Sequence, residues 1–143
     1  MKTIALLFVE DNADDAFMIS QAFRRAGYSL DARRVETQAA MEVVLSEAWD
    51  AILCDYILPL FAWPGALELA RQRCPDTPFV VLSGQIDDDR GAAAIRAGAT
   101  DYLDKRDLVR LPELVERAIR LKRGAREYNA RAASVIRAAA RTA

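Results

Sequence analysis

The feature that most constrains this chain is a set of five short strand candidates, each separated from the next by a segment with helical character. They are Ile4–Val9, Ala32–Val35, Ala51–Cys54, Phe79–Leu82 and Tyr102–Leu103. The first, third and fourth are continuously apolar, whereas the second contains Arg33 and Arg34. A continuous apolar run of this length is typical of a strand buried on both faces of a parallel sheet. Strands that alternate with helices form such a sheet with helices on both faces, because the crossover connections are right-handed. We therefore predict an α/β fold with a doubly wound, five-stranded parallel sheet.

The intervening segments carry the signals that begin and end helices. We predict helices over Asp14–Ala26, from an N-cap at Thr37 to about Ala48, through Leu67–Ala70, over Asp87–Gly98, and from Leu108 or Pro112 through Leu121. Gly27 and Gly98 stand where two of these helices should end, since glycine readily adopts the left-handed conformation that terminates a helix. The acidic run Asp87–Asp89 favours a helix start, because carboxylates stabilise the positive end of the helix dipole.

Length and composition fit one globular domain and exclude several classes of protein. The chain has 143 residues, 52% hydrophobic and 29% charged, which is enough to bury one core without disulfides. Two cysteines, Cys54 and Cys74, are too few for a disulfide framework and indicate a reduced, cytoplasmic setting. The sequence has no histidine, which excludes His-based metal sites and catalysis, and no apolar run approaches the roughly 18 residues of a membrane span. We expect a cytoplasmic protein without membrane contact.

Charge is divided unevenly between a body and a C-terminal tail. Residues 121–143 carry six basic residues and one acidic residue, a net charge of +5, whereas residues 1–120 carry −6. Two seven-residue series run through the tail, four positions apart: Leu121, Tyr128, Val135 and Ala125, Ala132, Ala139. This spacing predicts either a coiled coil that extends the last helix and supports a homodimer, or a solvated basic helix or linker. Direct nucleic-acid binding is disfavoured, because the body is acidic and the tail has no recognisable binding motif.

Polar residues stand where the predicted strands end. Glu10 and Asp11 follow the first strand, Asp55 ends the third, Ser83 follows the fourth and Lys105 the fifth. In the flavodoxin-like strand order 2-1-3-4-5, the first and third strands are neighbours, about 4.8 Å apart, so the three carboxylates meet. Carboxylates that repel one another, with only oxygen ligands, suit Mg²⁺. With the Lys105 ammonium and the Ser83 hydroxyl they predict a phosphoryl-transfer site with a carboxylate nucleophile.

These residues and their neighbours resemble the receiver domain of bacterial two-component response regulators, of the chemotaxis-regulator type. The resemblance is carried in order by four segments, each at a strand end: Val9–Asn12, Cys54–Tyr56, Leu82–Gly84 and Gly98–Lys105. It covers residues 3–121. We therefore expect a receiver domain over residues 1–121 and a basic helical extension or linker over residues 122–143.

The resemblance implies a phosphoacceptor and a set of metal ligands. Asp55 matches the residue that accepts the phosphoryl group. Asp11 and Asp55 would bind Mg²⁺ directly, together with the main-chain carbonyl of Ile57, and Glu10 would act mostly through water. The chain would then be a phosphoacceptor that assists its own phosphorylation and dephosphorylation, and not an enzyme in the usual sense.

The resemblance also implies a switch and its partners. Ser83 and Lys105 match the hydroxyl and the lysine that contact the phosphoryl group, and Tyr102 matches the aromatic residue that turns inward when Ser83 is recruited. The output face would lie near Ile95, Tyr102 and Leu114. The resemblance implies a histidine kinase or a histidine phosphotransfer protein as the donor of the phosphoryl group and a downstream protein target that reads the switch. Since the chain has no histidine, the donor must be another molecule or another part of a longer protein.

Two positions depart from the family pattern, and other functions remain open beside the favoured one. Arg106 stands where a proline usually follows the lysine, and the loop Phe61–Gly65 lacks the usual Asp-Gly pair. A degenerate receiver would act as a phosphorylation-independent protein-binding or dimerisation module. A Mg²⁺-dependent phosphatase would need an acid where Ile57 stands. A flavin or nucleotide module would need a glycine- or hydroxyl-rich phosphate cradle in place of Glu10 and Asp11.

Overall fold

Five parallel strands form one sheet in this computed structural model, which describes residues 2–84 and 88–142. The strands are β1 (Lys2–Val9), β2 (Tyr28–Val35), β3 (Ala51–Asp55), β4 (Phe79–Ser83) and β5 (Asp101–Asp104). Their order in the sheet is β2-β1-β3-β4-β5, and each neighbouring pair is parallel. The predicted doubly wound sheet and its strand order are confirmed.

Five α-helices connect or follow the strands. They are α1 (Ala13–Arg25), α2 (Gln38–Val44), α3 (Trp63–Arg73), α4 (Asp88–Ala97) and α5 (Leu111–Thr142), with a 3₁₀ helix over Lys105–Arg110. Thr37 caps α2 as predicted, because its hydroxyl accepts a hydrogen bond from the Ala40 amide. Gly27 and Gly98 have φ values of 95° and 115°, the left-handed conformation expected after a helix end. The first turn of α4 holds Asp88 and Asp89, whereas Asp87 lies outside the described residues.

Several element boundaries differ from the prediction, among them the following three. β2 begins at Tyr28 rather than Ala32, and its early residues alternate because this edge strand has one solvent-facing side. Tyr28 and Leu30 pack against the core, whereas Ser29 and Asp31 are exposed. α2 ends at Val44 rather than near Ala48, because the Trp49 indole N–H donates to the Val44 carbonyl at 2.8 Å. α5 runs without interruption through Thr142, so the tail is helical.

In the described part of the chain, no helix is both long enough and apolar enough to cross a membrane.

The core consists of two apolar layers, one on each face of the sheet. Alternate residues of the strands, such as Leu7 and Leu6, point to opposite layers. One layer packs against α2, α3 and α4, and the other against α1 and the first turns of α5. Leu114 belongs to the second layer and is buried, so it cannot form part of an exposed output face as the sequence suggested.

Asp50 joins the start of β3 to β1. Its amide donates to the Ala5 carbonyl at 2.8 Å, and its carboxylate accepts from the Ala5 amide at 2.7 Å. We expect Asp50→Ala to lower the free energy of unfolding by about 1 kcal/mol, because the Ala5 amide loses its acceptor. Urea unfolding measures this change. Asp31→Ala, at an exposed position of β2, is the control and should stay within about 0.5 kcal/mol of the wild type. Equal effects of the two substitutions would contradict this role of Asp50.

Candidate functional site

The carboxyl edge of the sheet gathers the polar residues that the sequence singled out. Glu10 directly follows β1, Asp55 ends β3, Ser83 ends β4 and Lys105 directly follows β5. The strand register aligns these ends, since Val9 pairs with Cys54, Asp55 with Leu82 and Ser83 with Asp104. Ligands of open parallel sheets bind beyond this edge. The architecture therefore brings residues that are distant in sequence to one place.

Three carboxylates meet at the ends of β1 and β3. One oxygen from each of Glu10, Asp11 and Asp55 lies within 4.8 Å of the others. Glu10 is buried, Asp55 is half-buried and Asp11 is exposed. The local sequence holds this arrangement through Asn12, whose amide donates to the Glu10 carboxylate at 3.1 Å and whose side chain caps α1. The cluster is therefore closed by the protein at Glu10 and open to solvent at Asp11.

Lys105 reaches across β4 into this acidic cluster. Its Nζ lies 2.8 Å from Glu10 Oε2 and 3.3 Å from Asp55 Oδ2. A third carboxylate, Asp15 Oδ2 in the first turn of α1, also lies 2.8 Å from Lys105 Nζ. Sequence reasoning missed Asp15, because an acidic residue in a first helical turn is ordinarily explained by the helix dipole. Only the packing of α1 beside the end of β5 reveals its second role.

The electrostatics of the site are dominated by uncompensated negative charge. Burial raises the pKa of Glu10 above its ordinary value, and the hydrogen bond from Lys105 only partly offsets this. Burial alone would lower the pKa of Lys105, but hydrogen bonds to Asp15 and Glu10 raise it above its usual range. One ammonium thus faces several carboxylates. This oxygen-rich, acidic donor set fits a hard divalent cation such as Mg²⁺.

Cys54 lies between this cluster and the core. Its side chain is fully buried, and burial raises the pKa of the thiol well above its ordinary value. The thiolate is the reactive form of cysteine, so this residue is suited to packing rather than to redox chemistry.

Arg106, which stands in place of the usual proline, begins a defined local structure. Its guanidinium pairs with Asp104 at 2.6 Å, and its amide donates to the same carboxylate at 2.8 Å. The hydrogen bond to Arg106 holds the pKa of Asp104 at about 2, well below its ordinary value. Asp104 thereby caps the 3₁₀ helix that starts at Lys105. The start of the loop after β5 is thus organised by contacts between Asp104 and Arg106.

The remaining predicted residues flank the cluster on different sides. Ser83 is buried at the end of β4. The side chain of Ile57 is exposed, and its amide donates to Asp55 Oδ1 at 3.3 Å. Tyr102 is half-buried, and its ring lies directly against the backbone of α4 at Gly91, where an added Cβ would come within 2.4 Å of ring atoms. The functional roles assigned to these three residues stay predictions.

The loop after Asp55 is braced by aromatic contacts that the sequence did not indicate. The rings of Tyr56 and Trp63 lie 5.7 Å apart, and the Arg90 guanidinium lies 5.3 Å from the centre of the Tyr56 ring. Cation–π contacts of this kind add modest stability at half-exposed sites. They connect this loop to α4, on the side of the site opposite to α1.

A sequence-family model described as the response regulator receiver domain matches residues 6–118 of this chain. The chain belongs to this family. The resemblance inferred from the strand-end motifs is therefore confirmed, and the chain is a receiver domain of two-component systems.

Individual relatives match most of this receiver but only part of their own length. It is 33% identical over 118 residues to the response regulator protein PilR of Pseudomonas aeruginosa, covering 81% of this chain and 26% of PilR. It is 31% identical over 113 residues to the DNA-binding transcriptional regulator NtrC of Escherichia coli K12, covering 78% and 24%. The chain thus spans about a quarter of the length of either relative.

Solved structures agree with the fold. A crystal structure assigned to a response regulator of Chloroflexus aurantiacus has a TM-score of 0.66 and 29% identity, covering 80% of this chain and 98% of that one. The structure of NtrX from Brucella abortus has a TM-score of 0.75 at 23% identity, covering 90% and 29%. The second likeness concerns the fold alone.

Two helical glycines allow a matched test of the contact between Tyr102 and α4. Gly124→Ala should raise the free energy of unfolding by about 0.5–1 kcal/mol, because alanine favours helices and a Cβ there meets nothing within 4 Å. Gly91→Ala should bring no such gain, because its Cβ collides with the Tyr102 ring. In a Tyr102→Ala background the gain at Gly91 should return. Thermal unfolding of the variants measures these differences, and equal gains at both glycines in the wild-type background would disprove the contact.

Proposed function

We propose that this receiver accepts a phosphoryl group on Asp55 from a phosphohistidine and uses the modification to control a protein partner. The observation that carries the proposal is the position of Lys105, whose ammonium lies 3.3 Å from Asp55 Oδ2 inside the acidic cluster. A carboxylate nucleophile, a fixed cation beside it and further carboxylates for a metal are the parts that phosphoryl transfer needs.

Each residue of the site has a part in this proposed transfer. An Asp55 oxygen attacks phosphorus, so that a P–O bond forms and the P–N bond to the donor histidine breaks. Lys105 stabilises the negative charge on a phosphoryl oxygen, and the buried Ser83 hydroxyl binds another. Glu10, Asp11, Asp55 and the main-chain carbonyl of Ile57 would hold Mg²⁺. When bound, Mg²⁺ supplies positive charge that lets the carboxylates and the phosphoryl oxygens approach one another.

The contacts of Lys105 supply a way to couple phosphorylation to conformation. In the present structure its ammonium is shared among Glu10, Asp15 and Asp55. A phosphoryl group on Asp55 competes for this ammonium, which weakens the pair with the half-exposed Asp15 of α1. Movement of Ser83 toward the phosphoryl group would then change the packing of Tyr102 against α4, and this shifts a two-state equilibrium.

The assignment of Asp55 as the phosphoacceptor also implies which proteins this chain binds. A histidine kinase or a histidine phosphotransfer protein donates the phosphoryl group, and since this sequence contains no histidine, the donor histidine lies outside it. The exposed apolar residues Phe17 and Met18 of α1 offer that donor a surface, and Met18 lines a small depression together with Lys105 and Asp15. A downstream protein reads the face around Tyr102. We place this activity in the cytoplasm, without direct binding to nucleic acid or membrane.

We further propose that residues 1–121 act as the receiver unit and residues 122–143 as a helical extension. The receiver unit also assists its own phosphorylation and dephosphorylation. Ile57 provides no side-chain acid or base to orient water near Asp55, so the aspartyl phosphate should be lost without acceleration from that position.

The first test is phosphorylation by a small donor. Incubation with acetyl phosphate and Mg²⁺ should add one phosphoryl group to the wild-type chain and none to Asp55→Asn, as measured by intact-protein mass spectrometry. Asp14→Asn, an exposed acidic residue of α1, should behave as the wild type. Modification of Asp55→Asn to the wild-type extent would refute Asp55 as the acceptor. A wild type that binds Mg²⁺ but takes no phosphoryl group from acetyl phosphate or from a phosphorylated phosphotransfer protein would favour the degenerate-receiver alternative.

The second test is metal binding without phosphorylation. Calorimetric titration with Mg²⁺ should show one site in the wild type, and Asp11→Asn should weaken it about tenfold or more, because a charged ligand is lost. Asp14→Asn is again the matched control, three residues away and outside the cluster. If Asp11→Asn and Asp14→Asn bind Mg²⁺ equally well, the carboxylate cluster is not the binding site.

A further inference from the structure

The C-terminal part of α5 is a helix whose apolar stripe is exposed. α5 has 32 residues, so it is about 48 Å long, and its first turns pack against the sheet. Lys122 still donates to the Pro75 carbonyl at 3.3 Å, near the edge of the body. Beyond it, Tyr128, Val135 and Ile136 expose 73%, 68% and 68% of their surface. In proteins, helices gain most of their stability from packing an apolar face against another element. We therefore expect another molecule to cover this exposed stripe.

The exposed stripe continues the stripe that is buried in the body. Leu111, Leu114 and Ala118 are buried against the sheet, and Leu121 is the next residue of the same series. The stripe then proceeds along the tail through Ala125, Tyr128, Ala132, Val135 and Ala139. The spacing alternates between three and four residues, which is the pattern of a coiled-coil seam. No charged residue occupies a seam position between Leu121 and Ala139.

The sizes of the seam residues select the orientation of the pair. In a parallel pair, each seam residue would face the same residue of the other helix. Wide layers, such as Tyr128 against Tyr128, would then alternate with narrow layers of alanine against alanine. In an antiparallel pair, each large residue instead meets an alanine: Leu121 with Ala139, Tyr128 with Ala132 and Val135 with Ala125 of the partner subunit. All layers then have similar thickness, which two straight helices at constant separation require.

Charge complementarity between tail and body favours the same orientation. The tail carries +5 and residues 1–120 carry −6. Either orientation places the two basic tails side by side, but a parallel pair would keep the end of each tail away from both bodies. An antiparallel pair brings the end of each tail, with Arg137 and Arg141, toward the acidic body of the other copy. It places Arg131 beside Arg131 of the partner subunit near the two-fold axis, and Arg137 level with Arg123 of the partner subunit.

We propose that a second copy of this chain binds the tail as an antiparallel coiled coil over residues 121–139. The two receiver bodies then lie at opposite ends of the paired helices, with both carboxyl-edge sites accessible. This inference rests on the tail alone and does not depend on phosphorylation.

Sedimentation velocity over a range of concentrations tests the association. The wild-type chain should form a dimer, and Val135→Asp in the seam should weaken dimerisation at least tenfold. Ser134→Asp adds the same charge one position away, outside the seam, and should remain dimeric. Circular dichroism of each variant verifies that the tail stays helical. A monomeric wild type at the highest concentration, or equal dimerisation of the two variants, would overturn the proposal.

Distances between spin labels test the orientation. A label at Arg141→Cys, in a Cys74→Ser background with Cys54 buried, should give an inter-label distance of about 33 Å or more in the antiparallel dimer. A parallel dimer would bring the two labels to within roughly 10–20 Å, since paired helices lie about 8–10 Å apart. The short distance would disprove the antiparallel arrangement.

Discussion

The ion pairs around Lys105 are the interaction on which the candidate site depends. One ammonium contacts Glu10 after β1, Asp15 of α1 and Asp55 at the end of β3. β5 is not a neighbour of β1 or β3 in the sheet, so backbone hydrogen bonds alone do not join these ends. Loss of one member of a buried ion pair typically costs about 3–5 kcal/mol, because the other charge remains without compensation. The lysine therefore stabilises both the edge of the sheet and the geometry of Asp55.

The carboxyl edge of the parallel sheet brings polar residues from distant parts of the sequence together. The apolar residues of the strands pack in the two core layers, and a polar residue follows at the carboxyl end of the strand. The resulting cluster has more carboxylates than cations, so its carboxylates repel one another and the donor set fits a divalent cation. Arg106 and Asp104 meanwhile form an ion pair in the neighbouring loop, on either side of Lys105 in the sequence.

α5 is one helix in two environments. Its first turns contribute Leu111 and Val115 to the core, and its later turns carry the same kind of stripe beyond the body. Helical geometry keeps that stripe on one side across the boundary, so the face that packs on the sheet in the body is exposed to solvent beyond it. One continuous helix joins the body and the tail.

The sequence by itself indicated the fold class and the polar residues that gather at the sheet edge. Apolar runs and helix-end signals are local, so they predicted the five strands and the polar residues at their ends, whereas the strand order was taken from the flavodoxin-like fold. The pattern failed at β2, because an edge strand has one polar side, and at the end of α2, where the Trp49 side chain returns to Val44. Tertiary structure alone decided that Asp15 shares Lys105, that Tyr102 lies on Gly91 and that Arg90 covers Tyr56. These contacts join residues from separate elements, and only the packing of those elements brings them within reach.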